Sequence, residues 1–305
     1  WTTTRDSASV LLAARSVDDQ VASSQRSKMR HNQAIAGAVV AALLAYFDVV
    51  GFARCVAYLW PSLGPTGLIL TLPLRFKFKN ASPAARAGLP RISFAPYEFV
   101  GGDSVGLVFY PGAAVEAAAY APLCRRVAEE AKATVILARP PFRMVITTRG
   151  FRKLTARHPG IKTWAVGGHS HGGGTLGGMF VADHASPGEV RGLAMLGATP
   201  LPWGAKTDLS ARRDLEVLNL LATEDKIADP TKGAVLKYVG GLVEDTFKML
   251  PKNTRRVVIK GGNHAGFGDY GIQAYDGERT ISLEDQQSQT AKHLVAFLKR
   301  VRKRG

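Results

Sequence analysis

The chain has little cysteine and few acidic residues for its size. Its 305 residues include two cysteines, Cys55 and Cys124, too few for a disulfide framework. Cys124 falls on an amphipathic stretch and reads as a small buried apolar residue. No CxxC pair or HExxH spacing is present, so no metal is expected. No GxGxxG lies at a strand-to-helix turn, and no cofactor is expected. Against 40 Lys and Arg stand 24 Asp and Glu, a net charge of +16. That balance suits nucleic acid, an anionic membrane or an acidic substrate. No basic motif has interleaved aromatics, so no nucleic-acid partner is expected. Part of the charge sits in the tail Lys299-Arg300-Val301-Arg302-Lys303-Arg304, complementing the C-terminal end of a last helix. Arg75, Lys77, Lys79, Arg86 and Arg91 flank an apolar region and read as a solvated basic face, in preference to a membrane-attracting one.

Apolar residues are abundant, at 46% of the chain, enough for a substantial core. From Val105 onward, strand and helix patterns alternate. This predicts an α/β fold with a mostly parallel sheet and helices on both faces. Residues 116–132 and 232–250 are amphipathic. Ser282 should cap a final helix, with Glu284 and Asp285 in its first turn and Leu294, Phe297 and Leu298 on its apolar face. The division expected is 1–33 disordered or targeting, 34–60 an anchor, 61–94 a linker or interfacial segment, and 95–305 the catalytic domain.

The most informative stretch is Gly168-His169-Ser170-His171-Gly172. The apolar run Thr163-Trp164-Ala165-Val166 precedes it and a helical pattern through Phe180 follows. Glycines on either side tolerate a sharp strand-to-helix turn that exposes the serine hydroxyl. The following helix aims its N-terminal amides at the same point. Two further pieces come in order. The strand-like run 215–221 leads into Thr223-Glu224-Asp225, and the run 255–260 into Gly261-Gly262-Asn263-His264. The order Ser170, Asp225, His264 is that of an α/β-hydrolase triad, not the chymotrypsin or subtilisin order. Glu224 and Asp229 are rival acids. The strand 105–110 runs into Pro111-Gly112-Ala113-Ala114. An oxyanion hole there takes one amide from His171 and one from Ala113, with Gly112 or Ala114 as alternatives; Pro111 has no N–H. Gly112, Pro140, Pro141, Phe142 and Trp203 are candidates for the pocket wall. The connection 197–214 is too short for a large lid, so the pocket should be open.

Four stretches resemble the α/β-hydrolase fold-5 group, related to dienelactone-hydrolase-like esterases. They are Val108-Phe109-Tyr110-Pro111-Gly112-Ala113 with Tyr120-Ala121-Pro122-Leu123; residues 164–173; Gly261-Gly262-Asn263-His264 with Phe267-Gly268-Asp269-Tyr270-Gly271; and Asp276-Gly277-Glu278 with Thr280-Ile281-Ser282 and Gln286-Gln287. The resemblance implies a serine hydrolase with Ser170, Asp225 and His264 as its triad, and often an N-terminal hydrophobic anchor. Two positions depart from that pattern. His171 stands where leucine is usual, and Thr223-Glu224-Asp225-Lys226 lacks the usual Gly-x-x-Asp form.

The chain begins at Trp1 and not at methionine, as a fragment, processed form or incomplete gene model does. Residues 34–53 are apolar apart from Asp48 and approach the ~20 residues of a membrane helix. Lys28 and Arg30 before them favour a cytosolic N-terminus and an exoplasmic or lumenal catalytic domain. The competing expectation is an amphipathic helix packed on a soluble or organellar hydrolase. The function expected is ester-like acyl hydrolysis of a small molecule. The alternatives are a catalytically weak binding member of the fold and a membrane-tethered interaction module.

Overall fold

The computed structural model describes residues 78–90, 95–143, 145, 150–183, 185–186, 188–198, 208–228 and 247–305. The expected anchor, Trp203, Asp229 and most of the amphipathic stretch 232–250 lie outside these. Within that stretch, Phe247–Met249 forms a 3-10 turn. Among the described residues no helix is long and apolar enough to cross a membrane.

Among the described residues a seven-stranded sheet has the order β1-β3-β2-β4-β5-β6-β7. The strands are β1 (Tyr97–Val100), β2 (Gly106–Tyr110), β3 (Thr134–Leu137), β4 (Trp164–His169), β5 (Gly192–Leu196), β6 (Glu216–Ala222) and β7 (Arg255–Ile259). All neighbours pair parallel except β1 with β3. The antiparallel edge strand β1 carries no sequence signal: it is four residues long and too short to show a period. The central strands are buried along their length, as expected when both faces of a parallel sheet are covered. Along β2, Leu107 and Phe109 join one core, and Val108 and Tyr110 join the other.

Among the described residues the helices are α1 (Pro83–Arg86), α2 (Ala121–Ala131), α3 (Phe151–Thr155), α4 (Gly178–Asp183) and α5 (Leu283–Arg302). The stretch expected as one helix over 116–132 is split: a 3-10 turn, Ala117–Tyr120, precedes α2. Pro122 sits in the first turn of α2, where its missing N–H costs nothing. For α5 the local signals hold. The Ser282 hydroxyl accepts the Asp285 N–H at 2.9 Å, and Leu294, Phe297 and Leu298 are buried.

The basic tail is engaged more closely than a solvated end. Arg300 and Arg304 both bond the Glu216 carboxylate at the start of β6, and Arg302 donates to the carbonyls of Ala131 and Lys132. These contacts bind the end of α5 to the sheet and to α2. Near the other end, Ala81 and Ala85 enter the same core as Phe109 and Tyr120. Lys79 forms a parallel bridge with Val115.

Candidate active site

Since β2 and β4 to β7 all run one way, their C-terminal ends share an edge, where ligands of such sheets bind. Ser170 follows the last residue of β4, Asp225 lies just past β6, and His264 just past β7.

Ser170 has φ 53, a left-handed conformation that an L-residue adopts at a cost of roughly 1–2 kcal/mol. The turn is too crowded for larger neighbours. A Cβ on Gly168 would lie 2.1 Å from the Tyr110 carbonyl oxygen, and one on Gly172 would lie 2.1 Å from that of Pro111. The chain then enters a π-helical turn, His171–Gly177, before α4. Wide turns of that kind occur often at functional sites.

His264 Nδ1 and Asp225 Oδ2 are 2.8 Å apart in a buried pair. The other oxygen, Oδ1, accepts the N–H groups of Ile227 at 2.9 Å and Ala228 at 2.7 Å. The carboxylate is therefore held at both oxygens, as a buried charge must be. Of its rivals, Glu224 instead accepts the Thr223 hydroxyl at 2.9 Å. The histidine is gripped on its backbone side. Asp276 accepts the His264 N–H at 3.2 Å and the Ala265 N–H at 2.8 Å. Burial raises the Asp276 pKa above the usual carboxylate range, although these amides work the other way. Gln286 and Asn263 exchange hydrogen bonds of 3.1 and 2.7 Å, which fastens the loop to α5.

The loop after β2 has three amides in question. Gly112 N–H donates to the Tyr120 hydroxyl at 3.2 Å. Ala114 N–H donates to the Arg143 carbonyl at 2.8 Å. The Ala113 amide between them has no acceptor among the described residues. The His171 amide also has none there. Pro141 is exposed and begins the 3-10 turn Pro141–Arg143, whose Arg143 carbonyl holds this loop. The Phe142 side chain lies outside the described residues.

A family profile described as the alpha/beta hydrolase family matches residues 106–288. The chain belongs to the α/β-hydrolase family. No curated protein sequence matches it. Solved structures similar to it include a carboxylesterase from Mesorhizobium loti, at 17% identity, covering 67% of this chain and 97% of that one, TM-score 0.43. Another is a monoacylglycerol lipase from Paleococcus ferrophilus, at 14% identity, covering 68% and 100%, TM-score 0.43. A third is a dienelactone-hydrolase-like promiscuous phosphotriesterase from metagenomic libraries, at 15% identity, covering 65% and 87%, TM-score 0.42.

Two further histidines flank the serine of this α/β-hydrolase. The His171 pKa is lowered by burial, against the Val145 carbonyl, which favours the protonated ring. His169 is pushed well below the usual range by burial first, then by His264 and Lys79. Its ring centroid is 4.4 Å from that of His264. No sequence motif assigns a role to His169, Tyr120 or Asp276. Tyr120 and Asp276 lie in stretches carrying the family resemblance, which was the signal available. Among the described residues no group of three or more His, Cys, Asp or Glu could hold a metal ion.

Proposed function

We propose that this protein is a serine hydrolase that cleaves an ester-like acyl bond of a small molecule through an acyl-enzyme. One observation carries the reading: a buried carboxylate–imidazole hydrogen bond of 2.8 Å, Asp225 to His264, at the sheet edge where Ser170 stands at φ 53.

In this reading His264 Nε2 takes the Ser170 proton as Oγ attacks the acyl carbon. Asp225 holds the other nitrogen, Nδ1, in its protonated form and stabilises the imidazolium that results. The carbonyl oxygen becomes negative and is bound by the amides of His171 and Ala113. Losing one such donor typically costs about 10²–10³ in kcat. His264 then gives its proton to the leaving oxygen. Water, deprotonated by His264, attacks the acyl-enzyme, and Ser170 recovers its proton. Gly112, Pro141, Phe142 and Trp203 are proposed to bound the acyl pocket.

A fluorophosphonate probe tests the class directly. The wild-type chain should be labelled and should turn over p-nitrophenyl acetate, while Ser170→Ala should do neither. An unlabelled wild type would leave the catalytically weak binding protein as the better reading.

We further propose that residues 34–53 anchor the chain in a bilayer, supported by the length and low polarity of that run. Retention in the pellet after carbonate extraction is expected. Release into the soluble fraction would refute the anchor.

A further inference from the structure

The Tyr120 hydroxyl has two partners, one in the loop after β2 and one at the end of β4. It lies 3.2 Å from the Gly112 nitrogen and 2.8 Å from His169 Nδ1. The amide can only donate, so the Tyr120 oxygen accepts there. The one phenolic proton is then free to point at His169 Nδ1, which accepts it in the tautomer protonated at Nε2, a buried nitrogen with no hydrogen-bond partner among the described residues. Tyr120 is 0% exposed and His169 1%, so water does not compete for these bonds.

This small network ties together three parts of the site. Gly112 precedes Ala113, the loop residue with the unoccupied amide. His169 ends β4 directly before Ser170, and its ring packs 4.4 Å from that of His264. The space between them is closed: a Cβ on Gly112 would lie 2.9 Å from His169 Nδ1 and 3.0 Å from the Tyr120 oxygen. On its far side Ala113 is followed by Ala114, whose N–H is held by Arg143. The Ala113 peptide is therefore tethered at both neighbours, which sets where its N–H points.

We propose that Tyr120 and His169 are positioning residues that hold the Gly112–Ala113 peptide so that the Ala113 amide is fixed as the oxyanion donor. Preorganised donors act strongly because they need no reorientation as charge develops. A donor on an untethered loop would lose part of that effect. The inference rests on the serine hydrolase reading and adds to it a Tyr–His pair that acts on the oxyanion donor through the backbone.

The test uses the full chain carrying Tyr120→Phe, with p-nitrophenyl acetate as substrate and a short-chain trifluoromethyl ketone as tetrahedral-state mimic. We expect kcat to fall about 10- to 100-fold, less than outright loss of a donor, with KM within threefold of wild type. Affinity for the ketone should weaken by the same factor as kcat/KM. His169→Leu removes the acceptor of the phenolic proton and should behave likewise. His169→Gln, whose amide oxygen can accept that proton, should recover most of the loss. If Tyr120→Phe does not fold, the comparison of His169→Leu with His169→Gln carries the test alone. Activity of Tyr120→Phe within threefold of wild type would overturn the proposal. So would equal losses in both His169 variants that track a fall in Tm. Fluorophosphonate labelling of the wild type separates the two readings. No labelling removes the hydrolase itself, whereas labelling with an unaffected Tyr120→Phe removes only the positioning role.

Discussion

Asp225 Oδ2 lies 2.8 Å from His264 Nδ1, with both side chains 2% exposed. A carboxylate in that position forces the imidazole proton onto Nδ1 and leaves Nε2 as the base. Asparagine there could present its NH₂ to Nδ1 and favour the opposite tautomer. Asp225→Asn is therefore expected to lower kcat for p-nitrophenyl acetate by about 10⁴-fold. Turnover within tenfold of wild type would show that another group orients His264.

Gly197 makes a second, steric prediction about the same pair. It has φ +51, and a Cβ there would lie 3.1 Å from Asp225 Oδ2, His264 Nδ1 and the Phe267 ring. Gly197→Ala should cost roughly 1–2 kcal/mol in stability from the left-handed backbone. It should also displace the carboxylate–imidazole contact and lower kcat at least tenfold. Urea unfolding and steady-state kinetics read these separately. An alanine variant with unchanged kcat would mean that the pair shifts without catalytic consequence.

These predictions rest on positions that the sequence disclosed unevenly. The candidates Ser170, Asp225 and His264 stand out because each follows a run that reads as a strand, and chain order then orders them along one sheet edge. Strand position favoured Asp225 as the acid but did not separate it from its neighbour. Glu224 and Asp225 are adjacent, and only the turn past β6 sends one toward His264 and the other toward Thr223. The cap of α5 was legible because Ser282 and Asp285 are local partners. Tyr120 and His169 are separated by 49 residues, and no periodicity or spacing rule connects them. The split of the stretch 116–132 had a local sign in Pro122. The basic tail was legible as charge but not as contact, since its partner Glu216 stands 84 residues before Arg300.

Asp276 supplies a third prediction. Its carboxylate accepts amides from His264, Ala265 and Gly277, fixing the turn on which the histidine sits. Asparagine keeps one acceptor oxygen and turns a donor toward an N–H, leaving a partly buried amide unpaired. Asp276→Asn should reduce stability by about 1–3 kcal/mol. It should also lower kcat severalfold while Ser170 remains labelled by the fluorophosphonate. Wild-type stability and kcat together would show that the turn holds without this cap.

The last prediction concerns pH. Burial holds His169 and His171 below the ordinary histidine range in the folded chain. In the unfolded chain both imidazoles take up protons near pH 6.5. Below that pH the unfolded state binds more protons than the folded one, so stability falls as the solution is acidified. The loss continues until the folded-state pKa values are reached, at up to about 1.4 kcal/mol per pH unit for each histidine. Asp276, raised by burial, works in the opposite sense, since its folded form takes up a proton first. The absolute acid curve therefore mixes signs, and the comparison of variants isolates the imidazole contribution. His171→Leu removes one of the two imidazoles and restores an apolar side chain beside Ser170. Its urea midpoint should fall less steeply from pH 7 to pH 5 than that of wild type, by up to one proton's worth of slope. Parallel curves for the two proteins would mean that His171 is protonated as readily folded as unfolded.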